Sequence, residues 1–244
     1  MNDNKPLSGR VTLVTGASRG IGYAAAIELA KAGSHIVAVA RTQGGLEDLD
    51  DAIKSVGGEA TLVPLDLKQP DGLDHLAVAL AKRWERLDGL FANAAILGDI
   101  TLAHQVEPKT FNDVMAVNVT ANYRLIRAMD PLLRASEAGR ALFVSSGVAQ
   151  SRRAYWGAYA ASKAAIETFA SCYAKEVGVT NMRVNQLNPG AVRTAMRAKA
   201  MPGEDPSTLP NPSDVAPLIV EMLSPSYTDN DQLISFRDTP YYKA

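Results

Sequence analysis

The chain has little of what would hold a metal, a disulfide or a membrane. Its 244 residues include one cysteine, Cys172, which excludes an intrachain disulfide and a multi-cysteine metal site. Cys172 falls in a helical run, where a free thiol reads as a small buried apolar residue. The three histidines, His35, His75 and His104, are scattered and form no HxxxH or HExxH pair, so no metal site is expected. Nothing approaches the roughly 18 uninterrupted apolar residues of a transmembrane helix. Residues 1–9 are polar and lack the apolar stretch of a signal peptide, so the default expectation is a soluble cytoplasmic protein. A net charge of −1 gives no reason to expect a nucleic-acid or membrane partner.

What is present is an ordinary globular composition, 47% hydrophobic and 21% charged, of a length that suits one domain with a real core. Strand-like runs at Arg10–Thr15, His35–Ala40, Ala60–Pro64, Gly89–Asn93, Arg140–Ser146, Met182–Leu187 and Gln232–Phe236 alternate with helical runs. The helices are expected near Ile21–Ala32, Leu46–Val56, Gly72–Arg86, Pro108–Ala135, Gly157–Val177 and Pro212–Leu223, the last capped by Asn211 or Ser213. Strands apolar on both faces, alternating with helices, indicate an α/β, doubly wound, mostly parallel seven-stranded sheet covered on both sides. A tail over residues 1–9 and a single Rossmann-type domain over 10–240 are therefore expected. One irregular, Pro-rich stretch, Ala198–Asn211, follows the sixth strand, where such sheets bind ligands. It reads as a lid over a substrate, within a loop spanning 194–211, or as a disordered segment.

Two short motifs carry chemistry. Thr15-Gly16-Ala17-Ser18-Arg19-Gly20-Ile21-Gly22 lies between the first strand and the first helix. There Gly16 would allow a sharp turn, Gly20 a close approach to a pyrophosphate, and Gly22 tight packing of helix on sheet. Farther on, Tyr159 and Lys163 are four apart, which places a phenol and an ammonium on one helix face. A free tyrosine titrates near about pH 10, and a neighbouring ammonium together with an oxidised nicotinamide would lower that value. Ser146, at the end of the fifth strand, could hold a substrate oxygen beside the phenol. Asn118, a poor helix former in mid-helix, could hold through its side chain a water linking Lys163 to solvent. Taken alone, Ser146 also reads as a strand-end hydroxyl and Asn118 as a helix irregularity.

The end of the second strand bears on which dinucleotide fits. An NAD site usually has an acidic residue there, whereas this chain has Ala40 followed by Arg41, with Arg19 in the glycine turn. Two guanidiniums suit a 2′-phosphate, so NADP(H) is expected over NAD(H), with a solvated loop cation as the plainer reading of Arg41. Asp66 could accept from the adenine amino group or act as a local cap, and Asn93 could fix the adenosine ribose or simply form a turn. Arg152-Arg153 could meet an anionic substrate, although exposed loop cations explain the pair as well.

These residues resemble the short-chain dehydrogenase/reductase family from Gly9 to about Leu223, the NADP-preferring type above all. The likeness rests on Thr15–Gly22, Asn93-Ala94-Ala95, Asn118, Ser146…Tyr159…Lys163 and Asn188-Pro189-Gly190-Ala191-Val192-Arg193-Thr194, in that order. Leu97-Gly98-Asp99, Trp156-Gly157-Ala158-Tyr159 and Arg193–Arg197 are similar to a group of bacterial oxidoreductases within it. The resemblance implies Tyr159 as catalytic acid/base, Ser146 as substrate orienter, Lys163 as modulator of the tyrosine and Asn118 as water relay. It implies cofactor contacts from Gly16, Ser18, Arg19, Gly20, Ile21, Gly22, Arg41, Asp66, Leu67, Asn93, Ala94, Tyr159 and Lys163. Pro189, Gly190 and Val192 would lie beside the nicotinamide, with Thr194 close to its carboxamide and the diphosphate. It also implies a homodimer or homotetramer built on the two long helices.

Two departures stand out. Ala95 replaces the usual glycine after the fourth strand, adding a methyl near the cofactor path. The C-terminal segment, Leu233–Asp238 and a polar tail, lacks the family's Gly-rich apolar finish, which favours a dimer over a tetramer. The implied activity is hydride transfer between nicotinamide C4 and a carbonyl or secondary alcohol on a small molecule. A catalytically silent NADP(H)-binding sensor or scaffold of the same fold is the alternative, and epimerisation or dehydration through a transient oxidation keeps the fold with other chemistry. The substrate pocket is expected from Leu97, residues 146–154, Trp156 and the 198–211 loop.

Overall fold

The computed structural model describes residues 5–243. The chain runs β1 Val11–Thr15, α1 Gly20–Lys31, β2 His35–Ala40, α2 Gln43–Ser55, β3 Ala60–Pro64, α3 Gly72–Trp84 and β4 Gly89–Ala92. It continues through α4 Pro108–Met115, a π-helical turn Ala116–Thr120, α5 Ala121–Arg134, β5 Arg140–Val144, α6 Val148–Ser151 and α7 Gly157–Val177. Last come β6 Arg183–Asn188, α8 Ala195–Ala200, α9 Pro212–Met222 and β7 Leu233–Ser235. The strands form one seven-stranded sheet in the order β3-β2-β1-β4-β5-β6-β7, with every pairing parallel.

The strand order reverses between β1 and β4. That is the point where an open parallel sheet leaves a crevice beyond its carboxyl ends. Val11–Thr15, Gly89–Ala92 and Arg140–Val144 are buried along their whole length, which matches strands apolar on both faces. One core lies under α3, α5 and α7, with Leu13, Leu90, Phe143, Ile166 and Val184 at its centre. The other lies under α1, α2 and α9, around Val14, Leu29, Ile36, Phe91 and Ile219. Full burial of a side chain such as Ile166 contributes about 1.5–3 kcal/mol, so these two layers hold the sheet between its helices.

Four local expectations change. Residues 1–4 of the expected tail lie outside the described residues, but the rest of it is docked: Leu7 is buried, and its N–H donates to the Ala32 carbonyl at 2.9 Å. The irregular stretch after β6 carries α8, because the Thr194 hydroxyl caps the Arg197 N–H at 3.1 Å. An Arg197–Glu204 ion pair at 2.5 Å then folds the loop back on that helix. Cys172 is exposed, not buried, since α7 turns Ile166, Ala170, Tyr173 and Val177 inward and leaves Cys172 on the outer face. The long helical run over 108–135 is interrupted by its π turn, which contains Asn118.

Candidate active site

The glycine turn is built by hydrogen bonds between the ends of β1 and β4. The Thr15 hydroxyl accepts from the Asn93 and Ala94 N–H groups at 3.0 Å each. Asn93 Nδ2 donates to the carbonyls of Thr15 and Gly16 at 3.0 and 3.4 Å. The Asn93 side chain thus forms the turn, the plainer of its two readings. Gly16 adopts φ +67°, which a residue with a Cβ rarely does. Gly22 has no room for a methyl, since a Cβ there would lie 2.3 Å from the Gly16 oxygen.

Ser18 and Thr194 lie beside this turn. A Cβ on Gly45 would meet Ser18 Cβ at 2.9 Å, so the first turn of α2 rests on Ser18 beside Arg19. Arg19 and Arg41 are both exposed, with no salt bridge among the described residues, and the first acid after β2 is Glu47. Across the crevice, a Cβ on Gly20 would stand 3.5 Å from the Thr194 methyl, which brings the β6 loop over the glycine turn. Ile21 is half-buried against the α1 core, and Val192 and Leu67 are buried. Asp66 Oδ1 accepts from the Lys68 N–H at 3.0 Å, the local cap weighed for it above. Asn188, given no separate role from sequence, accepts from the N–H groups of Gly147 and Gly190 at 3.1 Å each. It therefore ties the Ser146 loop to Pro189-Gly190.

The Tyr-Lys pair stands on the first turns of α7. Tyr159 is partly buried, with the Trp156 ring edge-on at 6.1 Å. Burial pushes its phenol up to about 12, while the Ser146 hydroxyl facing it pulls the other way. Lys163 Nζ lies 5.7 Å from the Tyr159 ring centroid, where its charge would favour the phenolate. Lys163 is itself buried; this brings it down to about 8, opposed by the charge of Glu167. Its Nζ donates to the Val144 carbonyl at 2.7 Å.

Asn118 is fully buried. Its Oδ1 accepts from the Ile96 N–H at 2.8 Å, and its Nδ2 donates to the Ile96 carbonyl at 2.9 Å and to Ser162 Oγ at 3.0 Å. The Asn118 carbonyl, displaced by the π turn, accepts from Asn122 Nδ2 at 2.7 Å. The side-chain bonds tie the Ile96 segment to α7 through Asn118. Asn118 reaches the site through Ser162, which donates to the Tyr159 carbonyl at 2.7 Å and precedes Lys163. Glu167, Ser145 and Asn122 also escaped the sequence reading; Glu167 had a signal, one helical turn beyond Lys163 on the same face.

The arrangement fits a nicotinamide dinucleotide. A glycine turn without space for a Cβ lies at the strand-order reversal, two exposed guanidiniums flank it, and a buried lysine underlies a phenol. Among the described residues no cluster of His, Cys, Asp and Glu could hold a metal ion, and no helix is long and apolar enough to cross a membrane.

Comparison with known proteins agrees with this geometry. The short chain dehydrogenase family model matches residues 10–205. The chain is 41% identical over 220 residues to the oxidoreductase YciK of Escherichia coli K12, covering 89% of this chain and 87% of that protein. A short chain dehydrogenase from Shigella flexneri complexed with NADP superposes with a TM-score of 0.92 at 37% identity, covering 96% of this chain and 100% of the other. One from Escherichia coli CFT073 complexed with NADPH gives 0.90 at 38% identity, covering 96% and 99%.

Proposed function

The chain belongs to the short-chain dehydrogenase/reductase family, and from that premise we propose that it is an NADP(H)-dependent oxidoreductase acting on a carbonyl or secondary alcohol. The observation that carries the reading is the stack of Ser146, Tyr159 and Lys163 at the carboxyl end of the sheet, facing the glycine turn across the crevice. NADPH, when bound, supplies the hydride that adds to the carbonyl carbon.

The chain's own groups do the rest. Arg19 and Arg41 would hold the 2′-phosphate, and the backbone of residues 16–22 with Thr194 would hold the pyrophosphate. Lys163 keeps one N–H on Val144 and directs its other two toward the nicotinamide ribose and the phenol side of the site. Ser146 donates to the substrate oxygen, and Tyr159 gives that oxygen its proton in reduction or takes it in oxidation. Leu97 and Trp156 line the apolar side of the substrate space, and residues 194–211 close its outer edge, with Lys199 Nζ reaching the Gly98 carbonyl at 3.3 Å.

Relatives solved with NADP and with NADPH support the choice of cofactor, as does the absence of an acid directly after β2. The exposed pair Tyr123 on α5 and Phe169 on α7, edge-to-face at 6.0 Å, supports association of two copies through these helices in a cytoplasmic homo-oligomer. Light scattering should give at least a dimer, and a monomer at all concentrations would refute that part. The function itself is tested by following NADPH oxidation with aldehydes, diketones, quinones and acetoacetyl thioesters. Turnover of at least one class supports the reading. NADPH binding without any turnover favours the silent sensor or scaffold.

A further inference from the structure

Tyr159, Lys163 and a third residue, Glu167, recur every four positions along α7 and so form one stripe on its inner face. The end of β5 meets that stripe residue by residue. Lys163 Nζ holds the Val144 carbonyl, the Ser145 hydroxyl donates to Glu167 Oε1, and Ser146 faces the Tyr159 phenol. Glu167 grips the far side of Ser146 as well, since Gln150 Nε2 on α6 donates to both of its carboxylate oxygens at 2.7 Å. The Glu167 main chain is anchored in turn, its carbonyl accepting from Gln186 Nε2 on β6 at 3.2 Å.

We infer that Glu167 is a positioning residue for the proposed reaction: its carboxylate clamps Ser145 and Gln150, on either side of Ser146, and so fixes the serine hydroxyl against Tyr159. The physical reason lies in the segment it grips. Beyond Val144 the strand pairing stops, apart from the Ser145 N–H on the Leu187 carbonyl, and α6 is a single turn. Only a few backbone bonds keep that turn in place, among them Ala149 N–H to Ser146 O and Ser151 N–H to Gly147 O, both at 3.0 Å. Right after α6 the chain enters the left-handed region at Arg152, φ +48°, and again at Tyr155, φ +74°. Asn188 holds the Gly147 N–H from the β6 side, and Glu167 supplies the anchor from α7, where hydrogen bonds to a carboxylate are the strong kind. The negative charge also acts on Lys163, one turn away, opposing the effect of burial there.

The inference rests on the oxidoreductase reading for its catalytic consequence, but its first readout does not. Amide hydrogen exchange is compared in the native protein, Glu167→Ala, Ser145→Ala and the double variant. Exchange over residues 147–152 should quicken about 10- to 100-fold in each single variant, the equilibrium worth of hydrogen bonds to a charged acceptor, while the core of α7 stays protected. The double variant should be no faster than Glu167→Ala alone, because that change already removes the acceptor of Ser145, while Ser145→Ala leaves the Gln150 arm and should be the milder single. On a turned-over carbonyl, kcat should fall by roughly 10- to 100-fold with NADPH affinity unchanged. Glu167→Gln, which keeps an acceptor for the Ser145 hydroxyl but loses the charge and one oxygen facing Gln150, should recover only part of that loss. Unchanged exchange over 147–152, or unchanged kcat in Glu167→Ala, would overturn the inference. Faster exchange in a protein that reduces no carbonyl would uphold the clamp and sink the oxidoreductase reading instead. If Glu167→Ala does not fold, Ser145→Ala and Gln150→Ala decide the matter by the same two readouts.

Discussion

Lys163 Nζ donates to the main-chain carbonyl of Val144 at 2.7 Å, so the buried ammonium is fixed to the last residue of a central strand. A lysine held in this way cannot swing to solvent. Its charge stays beneath Tyr159, and burial is offset by a carbonyl dipole and by the nearby Glu167.

That arrangement gives stability a pH dependence of definite sign. Lys163 titrates at about 8 in the folded protein against 10.5 ordinarily. Between those values the unfolded chain binds the extra proton, so the folded state gains stability as pH rises from about 8, and below 8 the cost of burying the charge is present in full. Tyr159, pushed up to about 12, acts in the opposite sense, and its stabilisation is lost only above its ordinary value of 10.0. From pH 8 to 10, the urea-unfolding free energy of the native protein should therefore rise relative to Lys163→Met by about 2–3 kcal/mol. Parallel curves for the two proteins would contradict this.

Gly22→Ala should destroy the cofactor turn. The new methyl would fall 2.3 Å from the Gly16 oxygen and 2.6 Å from Asn93 Nδ2, both held by backbone or by tight hydrogen bonds. Stability should fall by about 3 kcal/mol or more, and NADPH binding should be lost with it. Gly203→Ala, where nothing lies within 4 Å, is the matched control and should change stability by less than about 0.5 kcal/mol. Thermal unfolding of both variants checks the pair.

Arg41→Ala should weaken NADPH binding by roughly 10- to 100-fold, the worth of a charge-assisted contact, and leave NADH binding nearly unchanged. Arg19→Ala should act in the same direction. Fluorescence titration of each variant with both cofactors gives the answer, and equal losses for NADH and NADPH would place the two guanidiniums elsewhere.

The sheet was legible because strands apolar on both faces leave little choice of partner. The run expected at His35–Ala40 pairs in register with β3 from Ile36 to Ala40, and the Gly-rich turn lands where the strand order reverses. Tyr159 and Lys163 were legible for a similar reason, since helical spacing alone puts them on one face. What escaped depends on partners far apart in sequence. The π turn contains Asn118, whose partners Ile96 and Ser162 are distant in sequence, and no local preference encodes them. The tyrosine's raised value comes from burial by the surrounding walls, which residue spacing does not show. Leu7 looked like part of a polar tail because one apolar side chain among polar neighbours carries no period, yet it docks beside α1. Cys172 was misplaced because an Ala-rich helix has a weak apolar stripe, so its outer face is hard to tell from its inner one.

The central claim is that Tyr159 moves the proton in an NADPH-dependent carbonyl reduction, and the most direct measurement compares Tyr159→Phe with the native protein on one reducible carbonyl. The account predicts a fall in kcat by about 10²–10⁴-fold with NADPH affinity within a few-fold of native, since only the phenolic hydroxyl is removed. A Tyr159→Phe variant that binds NADPH normally and still reduces the carbonyl at the native rate would contradict it.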